Sequence, residues 1–255
     1  VAGAPRLWQG VGDASTDGWH WHTWLAHTFN LCAGEQYSAQ DLSFFVYEGG
    51  RAVGVVPLIV QEKKVGDSIE REAIYYSSFL PWPCFRREVQ DREALEDFAF
   101  AELERRARKA GAHHIRFWLT PTIHRGDELD RVMRIATEHN YRYLPLSFHV
   151  ATVDSQTLAV IRSRYDYKHF SPLFTVTVAE GSEVTGALEE SYFKLHTKDA
   201  GGQFRSRKSY TKQADIARGG EGFYVVATHK ESGDIAGMAL ISCYKGAAYY
   251  NSVAV

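Results

Sequence analysis

The residues best suited to bind a phosphate group follow a glycine pair in the second half of the chain. Arg205, Arg207 and Lys208 come shortly after Gly201-Gly202, at the start of a predicted helix over 205–217. Arginine side chains and helix amino termini both bind phosphate, whereas cations at a helix amino terminus oppose the macrodipole unless an anion is bound there. We therefore assign these three side chains to cofactor binding. The alternative is a solvated basic face.

Hydroxyl and amide groups are concentrated on a predicted strand over 247–255. Alternate residues of a strand share a face, so we expect Tyr249 with Asn251 on one face and Tyr250 with Ser252 on the other. Tyr249 and Asn251 are assigned to catalysis, and Tyr250 and Ser252 to cofactor binding. The alternative is that the two tyrosines belong to the core.

His196 ends a predicted helix over 185–198 and is the candidate catalytic base, because histidine titrates near neutral pH. The helix dipole alone also favours a histidine at this end.

Three residues are assigned to substrate binding: Tyr76, Trp82 and Gln203. Trp82 stands between two prolines and would stack on a sugar or a base, or else fill the core. No metal site is predicted, and neighbouring histidines such as His20 and His22 do not share a helix face.

Composition limits the classes of protein to which the chain can belong. Its 255 residues are 45% hydrophobic and 24% charged, with a net charge of -2 and a pI near 6.6. This is a globular composition that excludes a generally basic nucleic-acid coat, and no apolar run is long enough to span a membrane. The cysteines Cys32, Cys84 and Cys243 form no CxxC pair, which favours buried thiols in a reducing cytoplasm.

The elements that position these residues occur twice. FFVYEGGRAVGVVPL at 44–58 and YVVATHKESGDIAGMAL at 224–240 both read as strand, polar turn and strand, and IYYSS at 74–78 matches AYYNS at 248–252. The repeat predicts two copies of one α/β unit, with mixed central sheets flanked by helices.

The predicted domains are residues 1–154 and 173–255, joined by a linker over 155–172. The first copy continues through predicted helices to a closing strand over 141–153, whereas the second copy is incomplete and stops after its third central strand. Because an open apolar edge is avoided in proteins, we expect the natural chain to be longer. The alternative is that another chain covers the edge, as in a homo-oligomer.

These segments resemble the FemAB-like tandem-GNAT family. The Trp-rich amino-terminal helix, VYEGGRAVGVVPLIV and YYSSFLPWPCF are similar to its first domain. LHTKDAGGQFRSRKSYTKQ and GFYVVATHKESGDIAGMALISCYKGAAYYNSVAV are similar to its second domain. The resemblance covers nearly the whole chain and rests on pattern more than on single diagnostic residues.

The resemblance implies direct transfer of an acyl group to an amine or a hydroxyl. We expect acyl-CoA as a co-substrate that is not tightly bound, and a small-molecule or cell-envelope precursor as the acceptor. The alternatives are an aminoacyl-tRNA-dependent peptidoglycan-type ligase, in which tRNA is the nucleic-acid partner, and a non-catalytic binding protein with an inherited fold. In the first copy, Pro81-Trp82-Pro83 stands where a pyrophosphate loop would need small residues. That copy is therefore expected to bind the acceptor or to be structural.

Overall fold

The computed structural model describes residues 3–32, 37–76, 79–119, 127–142, 154–203 and 205–255. Two compact units make up the chain. Unit 1 comprises Val1–Arg142 with Gln203–Asp215, and unit 2 comprises Tyr143–Gly202 with Ile216–Val255. This division differs from the boundaries that the sequence predicts, because 203–215 groups with the first unit and the predicted linker forms two helices of the second unit.

Unit 1 combines helices with short sheets. Its helices are α1 (Ala4–Ala14), α2 (Trp24–Cys32), α3 (Arg92–Lys109) and α4 (Asp127–Glu138). Its strands are β1 (Tyr37–Asp41), β2 (Phe44–Glu48), β3 (Arg51–Val56), β4 (Ile59–Val65), β5 (Ser68–Ala73), β6 (Leu80–Pro81), β7 (Cys84–Phe85), β8 (His114–Ile115) and β9 (Phe117–Trp118). The strand orders are β1-β4-β5-β8, β2-β3-β7 and β6-β9, and only the β5–β8 and β6–β9 pairs are parallel.

The core of unit 1 is built on residues 52–60, which run from β3 into the start of β4 and are buried on both faces. On one face, Trp8 and Val11 of α1 pack with Val55. On the other, Leu103 of α3 joins a larger apolar cluster that includes Ile59. A strand that is covered on both faces gains hydrophobic stabilisation from consecutive residues, so its sequence does not alternate.

Strand pairing is interrupted between β5 and β6. β5 ends at Ala73, and pairing resumes only at Leu80, where β6 lies parallel to β9. Arg116 joins the two parts, because its N–H donates to the carbonyl of Ala73 (3.1 Å) and its carbonyl accepts from the N–H of Leu80 (2.8 Å). Leu80 and Pro81 thus belong to a separate two-stranded sheet, in which a two-residue pairing tolerates the missing proline donor.

Unit 2 is a four-stranded antiparallel sheet with helices. Its helices are α5 (Ser155–Ser163), α6 (Tyr165–Phe170) and α7 (Gly186–Asp199). A further helix, α8 (Arg207–Arg218), begins within unit 1 and ends within unit 2. The strands are β10 (Phe174–Ala179), β11 (Gly222–His229), β12 (Ile235–Tyr244) and β13 (Ala247–Ala254), in the order β10-β11-β12-β13.

The mixed α/β class predicted from the repeat is confirmed. The two repeated strand–turn–strand segments form the antiparallel hairpins β2–β3 and β11–β12. The second repeated segment differs between the copies, because 248–252 lies within β13 whereas Tyr75 follows the end of β5. Ser77, Ser78 and residues 143–153 of the predicted closing strand lie outside the described residues.

Candidate functional site

A β-bulge interrupts β13 at Asn251. Leu240 of β12 lies opposite Ser252, but the next residue, Ile241, lies opposite Tyr250. The extra residue changes which side chains share a face. Ser252 and Tyr250 are therefore on opposite faces: the Ser252 hydroxyl is 2.5 Å from the Tyr192 hydroxyl, whereas Tyr250 is 67% exposed. The prediction that they share a face is wrong for this reason.

The bulge brings Tyr249, Asn251 and Ser252 to one face of the sheet. The Asn251 amide donates to Oγ of the buried Ser242 at 2.9 Å. Ser242 lies opposite Tyr249 in the β12–β13 register, and directly opposed residues point to the same face. Burial raises the pKa of Tyr249, so its hydroxyl stays protonated at neutral pH.

α7 covers this part of the sheet with Tyr192 and His196. The helix begins after Thr185, whose hydroxyl accepts from the N–H of Leu188 (3.3 Å), and it presents the two rings one turn apart. Tyr192 is almost fully buried, and its ring centroid is 5.7 Å from that of the half-buried His196. Unit 2 thus holds one polar group of side chains, which we name the bulge cluster: Tyr192, His196, Ser242, Tyr249, Asn251 and Ser252.

Two members of the bulge cluster are missing from the sequence-based assignment. Tyr192 stands four residues before His196, and this spacing, which places both on one helix face, could have indicated from the sequence that the two side chains lie together. Ser242 lies inside the apolar strand β12, and its role depends on the register with β13, which the sequence does not display. Tyr250, assigned to cofactor binding, lies on the opposite, exposed face.

The three basic residues assigned to cofactor binding differ in how far they are buried. Arg205 is only 5% exposed, Arg207 is half-buried and Lys208 is exposed. α8 begins at Arg207, so Arg205 precedes the helix rather than forming part of it. Gln203, assigned to the substrate, is exposed and donates its amide to the Arg205 carbonyl (3.2 Å).

Aromatic rings surround the Arg205 guanidinium within unit 1. Its central carbon lies 4.3 Å from the ring centroid of Tyr210 and 5.9 Å from that of Phe29. Its Nε and Nη2 atoms are buried and make no hydrogen bond to any residue that the structure describes. Ser206 fixes the position, since its hydroxyl donates to the carbonyl of Cys32 and accepts from the N–H of Ser209 (3.1 Å). A buried guanidinium with unused donors is suited to bind an anion.

No protein-family model and no curated protein match the chain. Among solved structures, FemX is similar over 98% of this chain and 78% of its own, with a TM-score of 0.60 and 9% identity. This chain has a FemAB-like, tandem-GNAT fold. Weaker similarities link it to a tandem GNAT protein from the clavulanic acid biosynthesis pathway (TM-score 0.39, 14% identity, 91% of this chain and 68% of that one) and to a protein from Thermus thermophilus (TM-score 0.28, 16% identity, 44% and 72%).

In the first GNAT-like unit, Trp82 is a core residue. It is 2% exposed, and its ring packs 4.4 Å from Phe100 and 5.3 Å from Phe117. Its carbonyl accepts from Nε2 of His22 at 2.6 Å, which fixes the backbone as well. The prediction that Trp82 stacks on a substrate is therefore corrected, because no face of its ring is open. Tyr76, also assigned to the substrate, is half-buried.

A hydrogen-bonded chain of Tyr75, His27 and Asp41 in the same unit was missed by the sequence analysis. The Tyr75 hydroxyl is 2.9 Å from Nδ1 of His27, and Nε2 of His27 is 3.2 Å from Asp41. Burial and the nearby Asp41 charge raise the pKa of Tyr75. Burial raises the pKa of Asp41, but its hydrogen bond with His27 and other contacts outweigh that effect and lower it. Tyr75 and His27 are fully buried and Asp41 is exposed, so these hydrogen bonds connect the core to the surface.

Among the described residues, no helix combines the length and the hydropathy that crossing a bilayer requires.

Proposed function

We propose that the protein is an acyltransferase that moves an acyl group from acyl-CoA to an amine or hydroxyl of a small-molecule or cell-envelope acceptor. The observation that carries the proposal is the β-bulge at Asn251, which gathers polar side chains on one face of β13. The FemX-like fold supports a site at this strand. The polar side chains support it as well, because groups that are fixed in position before the reaction stabilise a developing charge most effectively.

In this proposal each member of the bulge cluster that reaches the reacting groups has one role. The acceptor amine attacks the acyl carbonyl, and Asn251 and Ser252 donate hydrogen bonds to the oxygen as it becomes negative. His196 accepts the proton that the amine loses. Tyr249, whose hydroxyl burial keeps protonated, gives a proton to the departing CoA thiolate. The bond formed is C–N and the bond broken is C–S.

Arg205 supplies the anion site of unit 1 in this proposal. The Nε and Nη2 donors of Arg205 are buried, so a phosphate would reach them only after the surrounding side chains move aside, and it would then meet unused N–H groups and a positive charge. Charge-assisted hydrogen bonds of this kind are roughly twice as strong as neutral ones. Both CoA and nucleotide-linked envelope precursors carry the required phosphate group.

The second candidate function is aminoacyl transfer from aminoacyl-tRNA. It is favoured by the similarity to FemX, since the FemAB-like family that the sequence resembles includes enzymes of this kind. The net charge of -2 gives no general attraction for a polyanion, so tRNA would require a local basic surface.

Two assays test the proposed donor. Binding of CoA and acetyl-CoA is measured by calorimetry, and CoA release is followed with a thiol reagent in the presence of a panel of amines. We expect Asn251→Ala and His196→Ala to lower the rate by about 10²–10³-fold. Tyr250→Phe is the matched control, because this side chain lies on the same strand but on the exposed face.

Absence of binding and of thiol release with every acyl-CoA would refute acyl-CoA as the donor. Transfer of a labelled aminoacyl group from tRNA, lost in the same two variants, would then establish the second candidate. Equal rates for Asn251→Ala and the unaltered protein would show that the bulge cluster is not the site.

A further inference from the structure

Exposed apolar side chains are concentrated on one part of unit 2. Among the described residues, 15 large apolar side chains are exposed, and seven of them lie between residues 158 and 178. Three belong to α5 (Leu158, Val160 and Ile161), two follow at Phe170 and Leu173, and two lie on β10. Scattered single apolar residues are normal at a surface, but a concentration of them in neighbouring elements such as α5 and α6 indicates a contact surface.

α5 has no buried residue at all. Its first turn is capped by Asp154, whose carboxylate accepts from the N–H of Thr157 at 2.7 Å, so the helix is formed by local hydrogen bonds. A nine-residue helix is marginal in water without packing. A surface that receives Leu158 and Ile161 would supply the missing packing.

Cations accompany these apolar side chains. Arg162, Arg164 and Lys168 are exposed, and none of them forms an ion pair within the part of the chain that the structure describes. Asp166 is the one acidic residue in the sequence 155–173. The three unpaired cations and the exposed apolar side chains form what we name the α5–α6 patch: Leu158, Val160, Ile161, Phe170, Leu173, Arg162, Arg164 and Lys168.

We propose that the α5–α6 patch binds the surface of an anionic lipid membrane. Apolar side chains next to unpaired cations match the boundary between acyl chains and phosphate headgroups, where each kind of group finds its partner. A nucleic acid would satisfy the cations but would leave aliphatic residues such as Leu158 and Ile161 in water. This inference goes beyond the proposed transferase activity and does not depend on it.

The test is sedimentation of the full chain with vesicles of phosphatidylcholine alone or with added phosphatidylglycerol. We expect binding to the anionic vesicles that weakens as salt is raised. Each cation near an anionic surface contributes about fivefold in affinity, so Arg162→Gln/Arg164→Gln/Lys168→Gln should reduce binding on the order of a hundredfold. The apolar variant Ile161→Ser/Phe170→Ser should also reduce it.

The matched control removes three other exposed cations, Arg108, Lys109 and Arg142, which also form no ion pair with a described residue. Arg108→Gln/Lys109→Gln/Arg142→Gln should bind vesicles as the unaltered protein does. All the substituted side chains are exposed, so circular dichroism should be unchanged, and the single variant Lys168→Gln gives a second measurement if the triple variant unfolds.

Three results would overturn the inference. The first is equal binding, or none, with the two kinds of vesicle. The second is an equal loss of binding in the control variant. The third is self-association in sedimentation velocity that Ile161→Ser/Phe170→Ser abolishes without any vesicle binding, which would make the patch an interface between copies of this chain.

Discussion

Replacing Arg205 with methionine should stabilise the protein and remove its affinity for phosphate-bearing ligands. The guanidinium is 5% exposed, and its Nε and Nη2 atoms have no hydrogen-bond partner among the described residues. Methionine has a similar length and no charge, so it can occupy the same space against the two rings without requiring a partner. If Arg205 lowers the stability of the free protein and also binds the ligand, its replacement should raise the stability of the free protein and abolish ligand binding.

Three terms give the sign of the effect. Desolvation of a buried cation costs several kcal/mol. The Tyr210 ring at 4.3 Å returns about 2 kcal/mol, whereas Phe29 at 5.9 Å lies at the limit of the interaction and returns about 0.5 kcal/mol. Two unused donors cost a further 1–3 kcal/mol or so each. Replacement of buried charges by apolar residues typically stabilises by about 1–4 kcal/mol, which for a chain of this size raises Tm by about 2–10 °C.

Thermal unfolding with and without CoA or a UDP-sugar measures both effects at once. Arg205→Met should unfold at a higher temperature than the unaltered protein when no ligand is present, and its Tm should not respond to ligand. Lys208→Met is the control, because this exposed side chain should change stability by no more than about 0.5 kcal/mol. A lower Tm for Arg205→Met together with an unchanged response to ligand would refute the reasoning.

Three further predictions concern stability. Gly54→Ala should destabilise unit 1 by about 1–3 kcal/mol in urea unfolding, because the new Cβ would lie 2.6 Å from ring carbons of Phe85; an unchanged midpoint would contradict this. Burial raises the pKa of Asp17, but the charge of Arg92 and hydrogen bonds outweigh it and hold the pKa below its usual 3.8. A lowered folded-state pKa contributes stability above the unfolded-state value, and that stability is lost as pH falls through the folded-state value. The unfolding midpoint should therefore fall below about pH 4, and less steeply in Asp17→Asn; equal slopes would count against the pair. Trp82→Ala should cost about 3–5 kcal/mol while leaving ligand affinity per folded molecule unchanged, and a selective loss of affinity would restore Trp82 as a substrate residue.

The order of strands in unit 2 could be predicted from sequence because each strand is bounded by glycines or polar turns. The face assignments on β13 could not, since the bulge at Asn251 depends on how that strand pairs with β12. The burial of Arg205 was also hidden, because the Phe29 ring that covers it is distant in sequence. Residues 155–172 have no clear apolar periodicity, and their first helix is set by the local cap at Asp154.

The two copies differ at the strands that the sequence repeat makes equivalent. In unit 1, backbone hydrogen bonds join Arg116 to Ala73 and to Leu80, on both sides of residues 74–79. The β5–β8 and β6–β9 pairings are thus connected through the backbone of Arg116. In unit 2, β13 pairs only with β12 among the described residues, and its ladder is interrupted by the bulge.

An acyl transfer is best stabilised by polar groups that are fixed in position before the reaction. In unit 2 the bulge cluster places such groups on one face of β13, whereas the corresponding strands of unit 1 are connected through Arg116. The sequence favours the same division for a different reason, since prolines and a tryptophan replace the small residues of a phosphate loop in the first copy. The sequence and the bulge cluster thus both favour unit 2 as the donor side of the proposed transferase, and Asn251→Ala is the substitution that tests the role of the bulge cluster.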